Sequence, residues 1–91
     1  MPYMAPADPG DFVLEERCAL PDGAWLELRL ARGPAGLVYR LAYRREGDCL
    51  LAYESDARRG PLRILRGRTS PYAFRSIEQL RYDFERELEA L

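Results

Sequence analysis

Two runs of alternating side chains constrain this chain more than anything else in it. Over residues 24–31, Ala24, Leu26, Leu28 and Leu30 share one face, while Trp25, Glu27 and Arg29 share the other. Over residues 37–45, Leu37, Tyr39, Leu41 and Tyr43 oppose Val38, Arg40, Ala42 and Arg44. A period of two belongs to a strand with one face buried. The breaker Gly33-Pro34-Ala35-Gly36 separates the two runs.

The neighbouring segments extend the pattern. Phe12, Leu14, Cys18 and Leu20 fall on one face of a strand, with Glu16 the exception. Pro21-Asp22-Gly23 is a turn, since proline sets φ and glycine supplies a positive-φ position. Residues 12–31 are therefore predicted to form a hairpin. Glu46-Gly47-Asp48 is a second tight turn, and residues 49–54 return as a strand. Leu62, Arg63, Ile64 and Leu65 form a short fifth strand at an edge, where charge discourages unwanted pairing.

Ser76 opens the one convincing helix. Its hydroxyl can cap the first turn, and Gln79 stands where a capping-box partner belongs. Ile77, Leu80, Phe84, Leu88 and Leu91 follow at helical spacing and make the stripe that packs on the sheet. Glu78 suits the positive end of the helix dipole; Glu85, Glu87 and Glu89 do not suit the other end and ask for a basic neighbour or fraying. The predicted fold class is α+β: a small antiparallel sheet of four to five strands, two hairpins plus a short edge strand, against one C-terminal helix. Residues 1–10, with Pro2, Pro6 and Pro9, read as a flexible arm, and residues 11–91 as a single domain.

At 91 residues the core is thin. A chain of this size buries roughly 60–65% of its unfolded surface, which leaves little room for a deep cofactor cavity. There is no histidine, which excludes Ser-His and Cys-His catalysis and leaves a zinc site short of ligands. No metal or cofactor is expected. Cys18 and Cys49 read as buried strand thiols, with a disulfide as the alternative. No apolar run reaches the ~18 residues of a membrane span, and the N-terminus lacks a basic-then-apolar signal. The expected location is the cytoplasm, away from membranes.

Net charge is only −1, but it is unevenly placed. Residues 1–31 and 76–91 are net acidic, while residues 57–75 hold six arginines and no acid. Residues 53–74 thus read as a folded cationic loop, backed by the helix and presented to phosphates or to an acidic partner. Arginine suits phosphates because its planar fork donates two hydrogen bonds at once. Arg58, Arg59, Arg63, Arg66 and Arg68 are the candidate phosphate or partner contacts, with Tyr53 and Tyr72 as stacking platforms for unpaired bases. Cleavage of RNA without histidine would use Glu54 as base, Tyr72 as acid and an arginine against the phosphorane charge. Core packing for the tyrosines and a surface ion pair for Glu54 are the plainer readings.

In the same stretch Tyr53 and Glu54 end a strand, Gly60 and Arg63 follow, then Gly67, Pro71, Tyr72 and Phe74. Ser76, Leu80, Asp83 and Phe84 mark the helix, and Tyr39, Leu41 and Tyr43 the preceding strand. Over residues 37–91 this pattern resembles the TumE-type toxins of prokaryotic toxin–antitoxin pairs. Those proteins carry a tyrosine–acid pair, a glycine-containing Asp-His-Arg-His run, then Pro-Tyr-x-Phe and a C-terminal helix. The family's acid and two histidines are here Pro61, Leu62 and Ile64. The resemblance implies a toxin component acting on RNA, catalytically degenerate, with a helix-turn-helix antitoxin as partner. The alternative is a non-catalytic interaction module that binds the antitoxin or pairs with a copy of itself as a homodimer, its acidic helix face meeting the basic loop. On either reading ribonuclease-like activity is uncertain, and an inactive chain is the stronger expectation.

Overall fold

A computed structural model describes residues 12–33 and 36–91. The predicted arm over residues 1–10 lies outside the described residues. Six strands make one antiparallel sheet in simple meander order: β1 (Phe12–Ala19), β2 (Ala24–Gly33), β3 (Gly36–Arg45), β4 (Asp48–Asp56), β5 (Gly60–Leu65) and β6 (Arg68–Pro71). The helix α1 (Ile77–Ala90) follows and lies across one face. The α+β class and the C-terminal helix are as expected. The strand count is higher: β5 is internal, paired on both sides, and β6 is the edge beyond it.

The extra strand comes from the cationic stretch itself. Residues 53–74 are not one loop but two successive hairpins. Arg66 and Gly67 form the two-residue connection between β5 and β6, with φ of 49° and 83°. Glu46 and Gly47 do the same between β3 and β4, with φ of 52° and 85°. Positive φ at both central residues is the type I′ geometry, whose twist matches that of paired strands. Glycine enters it freely, whereas Glu46 and Arg66 do so against the clash of Cβ with the backbone.

Alternation then sorts the side chains. Leu30, Tyr39, Leu41, Leu51 and Tyr53 point to the helix side and are buried there with Leu80 and Phe84. Tyr39 stacks on Phe74, with ring centroids 5.4 Å apart, and Tyr53 meets both Tyr72 and Phe84 edge-on. Ser76 caps the helix by accepting from the Gln79 N–H at 3.0 Å. The Gln79 side chain does not close the box; it donates to Asp83 instead, at 2.8 Å.

Coverage by α1 is partial. Its backbone comes closest to the sheet over β4, and it does not reach β1. Cys18, expected in the core, is therefore exposed on β1, and Cys49 is half-buried on β4; both are free thiols. Leu14 on the same strand as Cys18 is 41% exposed.

Candidate functional site

The face of the sheet away from α1 carries a chain of ion pairs. Glu27 on β2 receives Arg44 from β3 at 2.7 Å and Arg17 from β1 at 3.0 Å. Arg40 stands 3.9 Å from Glu27 and 3.3 Å from Glu54 on β4. The hydrogen bond from Arg44, and after it the one from Arg17, holds the Glu27 carboxyl below its ordinary range. Glu54, the candidate base, is the far end of this chain.

The helix side carries a different network, built from β4, β5, α1 and the segment between β6 and α1. Arg63 on β5 donates to Glu87 on α1 through Nε at 2.8 Å and through its terminal nitrogen to the second carboxylate oxygen. The Tyr53 hydroxyl donates to the same carboxylate. The Tyr72 hydroxyl donates to Asp83 at 2.6 Å. Burial, and then the Asp83 carboxylate beside it, pushes the Tyr72 hydroxyl well above the ordinary tyrosine range. Burial also raises Tyr53 and Tyr39. A phenol so placed releases its proton reluctantly, the opposite of what a general acid needs at neutral pH.

These positions separate the residues that the sequence grouped together. Glu54 and Tyr72 lie on opposite faces of the sheet and do not make an acid–base pair. Tyr53 is buried, so its ring offers no platform to a base. Arg63 is held by Glu87 rather than presented to solvent. Arg58 and Arg59 sit in the turn between β4 and β5, where Asp56 accepts from both backbone N–H groups at 2.8 and 2.9 Å and pairs with the Arg59 side chain at 3.4 Å. Those backbone bonds lower the Asp56 carboxyl. Arg66 and Arg68 sit at the opposite end of β5, exposed. The five guanidiniums therefore do not form one surface, because β5 runs between the two ends.

What the sequence did not single out is an open cleft of about 360 Å³ between β1 and α1. Leu26 and Leu28 from β2 and Phe84 and Leu88 from α1 line it with apolar surface. Glu16 and Arg17 from β1 and Arg81 and Glu85 from α1 bring charge to it. The available signal was Glu16, the one acid on the apolar face of its strand. Among the described residues no three His, Cys, Asp or Glu side chains come together to hold a metal ion, and no helix is long and apolar enough to cross a membrane.

The fold and these two faces define a class: a six-stranded antiparallel meander braced on one side by a C-terminal helix. Compared with protein-family models, with curated proteins and with solved structures, the chain matches none.

Proposed function

We propose that this protein is a non-catalytic protein-interaction module of the toxin–antitoxin kind, working in the cytoplasm. The setting comes from the TumE resemblance over residues 37–91, and its expected partner is a helix-turn-helix antitoxin. The observation that carries the interaction reading is the half-covered helix side of the sheet. An apolar cleft bordered by charges of both signs is how a protein-binding surface is built. The catalytic alternative loses its groups one by one: Glu54 to Arg40, Arg63 to Glu87, and Tyr72 to Asp83. Action on RNA keeps one support, the exposed Arg66 and Arg68 at the β5–β6 tip.

The test is twofold. The purified chain is incubated with RNA at low salt, and separately titrated with the product of the adjacent reading frame. Intact RNA together with saturable binding of that product is the expected result. RNA cleavage that disappears in Tyr72→Phe or Glu54→Ala would overturn the non-catalytic reading. Tight RNA binding that weakens steeply with salt and with Arg66→Ala would replace protein by RNA as the partner.

A further inference from the structure

We propose that β1 is the seat of a two-fold interface with a second copy of this chain, in which the two β1 strands run antiparallel and join the two sheets into one. This rests on the interaction reading above and names the partner that the β1 side of the molecule takes.

β1 is an edge strand. Among the described residues it pairs only with β2, so its outer backbone donors and acceptors face away from the sheet. Its side chains from Leu14 to Ala19 are all exposed. An edge in this state is a template for another strand. Charges on it ordinarily discourage pairing, so their order decides which strand is accepted.

That order is Glu15-Glu16-Arg17. In an antiparallel contact, residues directly opposite point to the same face. A two-fold axis perpendicular to the sheet keeps both helices on one side and sets one residue of β1 opposite its own copy. If that residue is Glu16, Glu15 of each copy lies opposite Arg17 of the other, and the axis makes this pair twice. Both pairs fall on the face away from the helices, where Arg17 already meets Glu27 and is still 76% exposed. On the helix side, Leu14 of each copy lies opposite Cys18 of the other, again twice, which covers the exposed leucine. Centring on Glu15 or on Arg17 instead gives one like-charge contact on the axis and no Glu–Arg pair in return.

Centring on Glu16 also brings two Glu16 carboxylates together. Arg81 of α1 borders the same cleft as Glu16 and has no carboxylate partner among the described residues, so each copy supplies a guanidinium to that pair. The cleft holds two acids and two arginines. A surface that meets itself needs equal numbers of both signs, whereas an acidic or basic partner would call for an excess of one.

The experiment is sedimentation of the full chain over a range of concentrations, with Glu15→Arg and Arg17→Glu made separately. The wild type is expected to dimerise. Each single variant places like charges opposite each other twice and should weaken the dimer on the order of tenfold. Mixed in equal amounts, the two variants should pair again. The arginine introduced in one then faces the glutamate introduced in the other, and the Arg17 kept by the first faces the Glu15 kept by the second. Circular dichroism shows that each variant is folded, and recovery on mixing separates the proposal from simple misfolding. In Leu14→Cys, mild oxidation should link two copies through Cys18, and Cys18→Ser in that background should abolish the link. A chain that stays monomeric, or a dimer indifferent to both charge reversals, overturns the proposal. A monomer that still binds the product of the adjacent reading frame overturns the dimer alone. RNA cleavage by a chain whose variants pair on mixing overturns the interaction reading alone.

Discussion

Arg63 and Glu87 are 24 positions apart and meet as a fork on a carboxylate, with Nε donating to one oxygen and the terminal nitrogen to the other. This pair fastens the last strand hairpin to the helix. Arg63 is 32% and Glu87 19% exposed, so the pair is partly shielded from water, and Tyr53 supplies a third donor to it. Two hydrogen bonds between charged groups in one plane are stronger than a surface ion pair.

Arg63→Ala should therefore destabilise the fold by about 2 kcal/mol, because it removes both bonds and leaves Glu87 half-buried with only Tyr53. In a domain of this size that lowers the melting temperature by roughly 10 °C. Arg63→Lys keeps the charge but not the fork and should fall between the two. Thermal melts of the three proteins check it; a melting point unchanged in Arg63→Ala would mean the pair contributes nothing to stability.

The Tyr39 hydroxyl is buried and has no hydrogen-bond partner among the described residues. Removing an unpaired buried polar group relieves its desolvation, so Tyr39→Phe should raise stability by up to about 1 kcal/mol. Tyr72→Phe is the contrast: it takes a donor from Asp83, which retains Gln79, and should cost about 1 kcal/mol. Urea denaturation of both variants gives the two signs directly.

Arg66 occupies the left-handed region at φ 49° without being glycine or asparagine. Arg66→Asn should relieve that conformation and gain about 0.5–1 kcal/mol. Arg68→Asn, on the first residue of β6 and without this constraint, should change stability by less than about 0.5 kcal/mol. Denaturant midpoints compare the pair, and equal midpoints would show that the turn carries no penalty.

Stability should fall at both ends of the pH scale. Tyr39, Tyr53 and Tyr72 have hydroxyls raised above the ordinary 10.0 in the folded protein. Their contribution is whole below about pH 10 and is lost as pH rises through the raised values, since the unfolded chain ionises first. Glu27 and Asp56 are lowered from 4.5 and 3.8, so their contribution is present above those values and is lost as pH falls through the folded ones. Melts from strongly acidic to strongly alkaline buffer test both edges; Tyr72→Phe should flatten the alkaline one.

The hairpins and the helix were legible because each carries its signal locally. Alternation in residues 24–31 and 37–45, the turn residues around Gly23 and Gly47, and Ser76 before an apolar stripe all act over a few positions. β6 was not legible because Arg68-Thr69-Ser70-Pro71 is short, polar and mostly exposed at the edge, so it has no apolar face to alternate. The meaning of the arginines was hidden for a different reason. Charge counted along the chain does not say that Glu87 returns over β5 to take Arg63, or that β5 separates Arg58 and Arg59 from Arg66 and Arg68. The acid misplaced at the end of the helix asked for a basic neighbour, and Arg63 is that neighbour. Glu54 and Tyr72 looked close in sequence, and only the sheet shows that strand alternation sends them to opposite sides.

The meander order has a kinetic consequence. Every strand finds its partner in the segment just made, so the whole sheet can zip up through short loops, with little chain entropy lost at each step. Only the return of the helix bridges distant parts of the chain. Docking of that last segment, rather than strand registry, is then the event on which completion of folding waits.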